Sequence, residues 1–287
     1  ENKNSYTKFM IMKKLYKDGN KQVYLLSNKN GYKKGKLSVK HNLNMGEVIE
    51  VEDSIEGTID ISDFEYIKDF NLEDYLPSVK RPINDIMADI EEITKECIIS
   101  EEGKILNDYF FNDEKFLEEF KHGIGGVSMH HNYIGGLAEH TLNVMDLTAM
   151  LSEKYDCRRK EITVLSAKLH DIGKIYEVYY EGPFKYTLRG ELEGHIVIGV
   201  QMIDEAVKNK PDFYNDDFVD RIKGCIVQHH GKLEYGSPRE MNMEEAFILN
   251  YADSIDATMN KITQMKEKTE SNTWSEYDRR VETKLYL

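Results

Sequence analysis

The sequence predicts an α+β protein, with a small OB-like β-barrel at the N-terminus followed by an all-α helical bundle. Three observations carry that expectation. Residues 5–70 alternate apolar and polar side chains between turn signals. From Ile83 onward, apolar residues recur at helical spacing. Within the helical part, histidines and aspartates return about once per helix and loop, as ligands projecting into a bundle core would.

The strands come first. KQVYLLS (21–27), GKLSVK (35–40), GEVIEVEDSI (46–55) and GTIDISDFEYI (57–67) are short alternating runs. Asp18-Gly19-Asn20, Asn30-Gly31 and Asn44-Met45-Gly46 separate them as turns. About five short strands in about 65 residues suit a small barrel, and the OB-fold is one that takes single-stranded nucleic acid. Residues 1–50 hold eleven lysines, no arginine and four acids, a net of +7, so the rest of this −14 chain carries −21. That asymmetry fits a basic binding module on an acidic body, or more plainly a lysine-rich solvated surface. Phe9, Tyr16, Tyr24 and Tyr32 lie among the lysines. Aromatic faces stack on bases while lysines such as Lys13, Lys14, Lys33, Lys34 and Lys36 follow the phosphates. Phe9 and Tyr24 equally suit the barrel core.

The polar, proline-bearing segment NLEDYLPSVKRP (71–82) marks a boundary. Beyond it, INDIMADIEEITKECI sets Ile83, Ile86, Met87, Ile90, Ile93 and Cys97 on one helical face. Helices joined by short loops are expected to about residue 268, and the polar tail after it is weakly patterned. The predicted division is therefore 1–76, 77–268 and a tail at 269–287. No run of about 18 apolar residues exists, so no membrane helix is expected, and no signal peptide is visible. Cys97, Cys157 and Cys225 are scattered without a CxxC pair, which points to a reducing cytoplasm and away from a zinc knuckle.

Seven of the nine histidines fall between residues 130 and 230. Starting from His140, the order is His140, His170-Asp171, His195, His229-His230 and then Asp253, with gaps of 30, 24, 34 and 23 residues. Imidazole with carboxylate is a ligand set for manganese, iron, cobalt, zinc or nickel, and with more carboxylate for magnesium. A bridging carboxylate can hold two metals about 3.5–4 Å apart and make water a nucleophile near neutral pH. Asp171, with two oxygens beside a histidine, is the natural bridge. Lys174, at i+4 from His170 in an expected helix, can face the same cavity and contact a phosphate. Any one of these histidines alone would more often be a satisfied core residue. The ordered series as a set points to metal.

The order H…HD…H…HH…D resembles the HD-domain metal-dependent phosphohydrolases. The strings SMHHNYIGGLAEHT, LHDIGKI, GHIVIG, HHGKLEYGSP and YADSIDA, spanning 128–257, resemble the YhaM family of 3′–5′ exoribonucleases. The β region resembles that family's N-terminal OB module less closely. The GYP motif of cyclic-di-GMP hydrolases is absent, with EYGSP in its place. The resemblance implies a hydrolase that shortens single-stranded RNA from the 3′ end, with single-stranded DNA as a further candidate substrate. It implies His140, His170, Asp171 and Asp253 around one metal, and His195, His229 and His230 around a second, with Asp171 bridging. Manganese leads, and Co²⁺, Fe²⁺, Mg²⁺, Ni²⁺ and Zn²⁺ also fit. His130 and His131 match a family string and are assigned to substrate contact, with a buried role at the helix entry as the alternative. Asp171 and Lys174 are the expected catalytic pair. A homo-oligomer is admitted as a partner state. Two other readings compete: a nucleotidase or cyclic-nucleotide phosphodiesterase of the same superfamily, and a nucleic-acid-binding protein with a vestigial metal site.

Overall fold

The computed structural model describes residues 5–53 and 56–287. The chain divides into two compact units, one running to Ser78 and including Tyr179–Lys185, the other made of Val79–Val178 and Tyr186–Leu287.

The first unit is a six-stranded sheet of β1 (Ser5–Asp18), β2 (Lys21–Asn28), β3 (Gly31–Ser38), β4 (Val48–Asp53), β5 (Ile59–Asp60) and β6 (Phe64–Ile67), in the order β5-β3-β2-β1-β4-β6. β1 is long enough to pair with β4 through its first half and with β2 through its second, with register shifts between Ile11 and Lys13 and between Lys14 and Tyr16. Such bulges bend a strand and increase its twist. One face buries Phe9, Ile11, Tyr24, Leu26, Leu37, Ile49, Val51 and Ile59. Phe9 and Tyr24 thus belong to the core, while Tyr16 and Tyr32 are more than half exposed. Gly35 lies over this core, where an added Cβ would come within 2.8 Å of Leu26.

Two details differ from expectation, and a third run is described only in part. The run 57–67 splits into β5 and β6, with Asp63 accepting from the Phe64 amide at the break. The pairs among the described residues form an open sheet, since no ladder joins β5 to β6. The run 46–55 forms β4 as far as Asp53; its last two residues lie outside the described ones. The charge asymmetry also takes a different form. Residues 51–78 hold nine acids and one lysine, so the segment to Ser78 as a whole is close to neutral at −1. The sheet unit is close to neutral rather than basic. Lysines crowd β1 to β3, while Glu50, Glu52, Asp53, Asp60, Asp63 and Glu65 line a cleft of about 700 Å³.

The second unit contains α1 (Ile83–Cys97), α2 (Glu101–Phe111), α3 (Glu114–His122), α4 (Gly136–Lys154), α5 (Lys160–Leu169), α6 (Lys174–Glu177), α7 (Leu188–Lys208), α8 (Asp216–Gln228) and α9 (Glu244–Lys266). α1 buries Ile86, Ile90 and Cys97, as its spacing predicts. Ser100, Asp113, Thr187 and Asn215 cap α2, α3, α7 and α8 by accepting from first-turn amides. α4 and α5 are buried along most of their length and pack together, with α9 against both. A small ribbon, β7 (Val178–Tyr179) with β8 (Lys185–Tyr186), interrupts the stretch that the sequence presents as mostly helix. The tail is ordered: isolated bridges join Trp274 to Tyr286 and Asp278 to Thr283. The three cysteines are free and buried.

Candidate metal centre

The ligand series does not sit simply one group per helix. His140 is inside α4, His195 follows a kink in α7 and Asp253 is in α9, but His170-Asp171 and His229-His230 lie just past the ends of α5 and α8. His170 and Asp171 therefore occupy a turn rather than a continuous helix. This changes their directions: Asp171 reaches histidines on both sides. Its Oδ2 is 3.4 Å from His140 Nε2 and 3.3 Å from His170 Nε2. Its Oδ1 is 3.4 Å from His195 Nε2 and 3.5 Å from His229 Nε2. Asp253 Oδ1 lies 2.9 Å from His140 Nε2 and 3.6 Å from His170 Nε2. Among the convergent groups are His140-His170-Asp253 and His195-His229-His230, with Asp171 between them and itself grouped with His170 and His229.

Every imidazole in the two groups is oriented by its other nitrogen. His170 Nδ1 donates to the Ala167 carbonyl at 2.6 Å and His229 Nδ1 to Ile226 at 2.6 Å, each a carbonyl that a helix end leaves without an amide. His230 Nδ1 donates to Tyr235 O at 3.0 Å. His140 Nδ1 meets Asp256 Oδ2 at 2.6 Å, and His195 Nδ1 meets Glu177 Oε2 at 2.9 Å. With Nδ1–H tied to oxygen, each Nε2 turns inward. Asp171 Oδ1, His195 Nε2 and His229 Nε2 are buried with no hydrogen-bond partner among the described residues. Buried polar atoms without partners are costly, and three of them converging on one point fit a cation. The Nε2 atoms of His140 and His170 are 3.2 Å apart, close enough to share one ion. Oxygen and imidazole donors of this kind suit a divalent metal.

Electrostatics agree. Burial raises the pKa of Asp171, but His170 and Lys174 outweigh it and hold the carboxyl well below its usual range. Burial works against charge on His170, yet Asp171 and Asp253 hold its pKa up at about 10. This end of the cluster demands positive charge. At the other end burial pushes His229 down, and burial with the neighbouring His229 pushes His230 down to about 4, so both present neutral imidazoles. Lys174 is buried, pairs with Asp171 Oδ2 at 2.9 Å and donates to the Gly125 carbonyl at 2.5 Å.

The loop between α3 and α4 carries His130 and His131, and the two rings go different ways. His131 is buried with Nδ1 2.8 Å from Glu139 and Nε2 2.7 Å from Asp256, so both ring nitrogens are engaged. His130 borders an open cavity, and its Nδ1 is buried without a partner among the described residues. The loop is tied at Gly125 by Lys174, at Met129 by Arg280 of the tail and at the His131 amide by Asn260. Sequence reasoning passed over Asp256, Glu177, Glu139 and Asn260. One signal was readable: Asp253, Asp256 and Asn260 stand at i, i+3 and i+7, one face of α9. Glu177 and Glu139 carried no such signal.

Residues 137–258 match the family described as the HD domain. The 3′-5′ exoribonuclease YhaM of Bacillus subtilis (strain 168) is 29% identical over 206 residues, covering 72% of this chain and 64% of that protein. The 3′-5′ exoribonuclease YhaM of Geobacillus sp. (strain WCH70) is 30% identical over 205 residues, covering 71% of this chain and 62% of that one. The chain thus spans less than two thirds of the length of these curated relatives. No solved structure matches. The match covers the segment that carries the two imidazole groups and the aspartate between them, so this segment is similar to an HD domain.

Proposed function

We propose that this protein is a metal-dependent 3′–5′ exoribonuclease that removes nucleotides from single-stranded RNA. The observation that carries this reading is the set of five imidazoles whose Nδ1 atoms are tied outward, leaving Nε2 atoms around Asp171. His140, His170, Asp171 and Asp253 would hold one divalent ion, Mn²⁺ first among candidates, and His195, His229 and His230 a second, with Asp171 shared. When bound, such ions supply the Lewis acidity that turns water into a nucleophile near neutral pH and steadies both oxygens of the displacement. Lys174, charged and close to Asp171, holds that carboxylate in place and offers its remaining donor capacity to a phosphate oxygen. In the reaction, water adds to the terminal phosphodiester and the P–O3′ bond breaks. The departing 3′ oxygen takes a proton, leaving a nucleoside 5′-monophosphate and a chain one residue shorter.

The exoribonuclease activity named for the relatives supports an RNA substrate. The lysines of β1 to β3, with exposed Tyr16 and Tyr32, support a role for the first unit in holding the strand. Lys34 lies 5.6 Å from the Tyr16 ring centre. Three free, buried cysteines agree with a reducing, cytoplasmic setting. End-labelled RNA incubated with the protein and Mn²⁺ tests the proposal. A ladder growing from the 3′ end is expected. Release of phosphate from mononucleotides alone would favour a nucleotidase, and retention of uncut RNA would favour a binding protein.

A further inference from the structure

A cavity of about 420 Å³ opens beside the metal centre, with His130, Lys174, His195, Tyr186 and Glu191 among the residues that line it. It lies at the small end of the range for ligand pockets, about 300–1,000 Å³, which is room for one nucleotide unit. We infer that this cavity is the subsite for the 3′-terminal nucleoside, and that Glu191 selects ends bearing a free 3′-hydroxyl. The inference rests on the exonuclease reading above and deepens it.

The lining groups differ in character. Lys174 and the inward imidazoles favour the scissile phosphate. Glu191 is exposed in the first turn of α7, and an ionised carboxylate only accepts hydrogen bonds. It repels phosphate and welcomes hydroxyl groups. The part of an RNA that offers hydroxyls and no charge is the terminal ribose. Tyr186, 46% exposed, gives an aromatic face on which any base can stack. His130 Nδ1, buried and without a partner among the described residues, is a further polar atom at this cavity. The polymer itself, with one charge per linkage, must leave by another side. A 3′-phosphate would set its charge against Glu191, a like-charge contact that costs affinity.

The experiment uses the full chain, Mn²⁺ and 5′-labelled RNA of one sequence ending in either a 3′-hydroxyl or a 3′-phosphate. The hydroxyl end should be shortened faster by on the order of tenfold, the size expected of one unfavourable charge contact with an exposed, largely water-screened carboxylate. Glu191→Gln should bring the two rates close together, and Glu191→Lys should favour the phosphate end. Tyr186→Ala should raise KM more than it lowers kcat. An acid in a helix's first turn also stabilises the helix, but that role would not move the ratio between two ends. If the unaltered protein shortens hydroxyl-ended RNA yet treats both ends alike, or if Glu191→Gln leaves the ratio unchanged, the subsite is wrong. If the unaltered protein makes no 3′ ladder at all, the exonuclease reading itself falls.

Discussion

Asp256 touches no proposed metal position, yet it accepts from His140 Nδ1 at 2.6 Å and from Asn143 at 2.8 Å while its Oδ2 meets His131 Nε2 at 2.7 Å. It sets the ring of His140 rather than binding the ion. Asp256→Asn is therefore expected to weaken metal affinity by about 10–100-fold, with hydrolysis recovering as Mn²⁺ is raised. Asp171→Ala removes the carboxylate shared by both groups, and its activity should stay at the metal-free background at any Mn²⁺ concentration. Titrating both variants with Mn²⁺ separates the two roles, and recovery of Asp171→Ala would contradict the bridge. His170 adds a pH signature. Its pKa rises from 6.5 to about 10 in the metal-free fold. A raised basic group stabilises the fold fully below pH 6.5, and that contribution is lost as pH climbs towards 10. The melting temperature of EDTA-treated protein should fall across that window. Mn²⁺-loaded protein should fall less, because the ion has already displaced the proton. Parallel curves for the two forms would count against His170 as a ligand.

At the scale of elements, the ends and kinks of helices place the donors. α5 and α8 both stop at a histidine whose Nδ1–H satisfies a carbonyl of the last turn, so one ring both ends the helix and faces the centre. α7 uses a different device. Gly194 sits at φ 75° and ψ 159°, a conformation open essentially to glycine alone. The break lets the His195 amide and Nδ1 both meet Glu177 Oε2, at 2.5 and 2.9 Å. Gly194→Ala is expected to destabilise the protein by about 1–3 kcal/mol and to weaken binding of the second ion more than the first. Calorimetric unfolding and metal stoichiometry at limiting Mn²⁺ measure the two effects. A variant of unchanged stability that still binds two ions would contradict this account of the kink.

At the scale of the whole molecule, the sheet unit is close to neutral. Lys33 pairs with Asp53, Lys36 with Asp18 and Lys21 with Asp60, so part of its positive charge is already neutralised internally. Lys13 and Lys34 face each other across Leu25 and are both exposed. Replacing both with Glu in the full chain should weaken RNA binding. It should also lower the slope of log K against log salt by about 0.7 for each single-strand phosphate that the lysines no longer neutralise. Filter binding at several salt concentrations reads this directly. An unchanged slope would remove these lysines from the RNA path.

The α+β class, the order of strands before helices, the first helix face and the ordered His/Asp series were all legible in the sequence, because each depends on local periodicity or on residue type. Phe9 and Tyr24 could be placed in the core only by the sheet itself, because a period-2 pattern does not say which face of a strand is covered. Charge counted along the first 50 residues suggested a basic module, but β4 to β6 bring the following acids into the same sheet and cancel it. The supporting shell of Asp256, Glu177, Glu139 and Asn260 was decided only by the tertiary structure. Those hydrogen bonds join residues up to 129 positions apart and need fixed distances and directions, which no local pattern encodes.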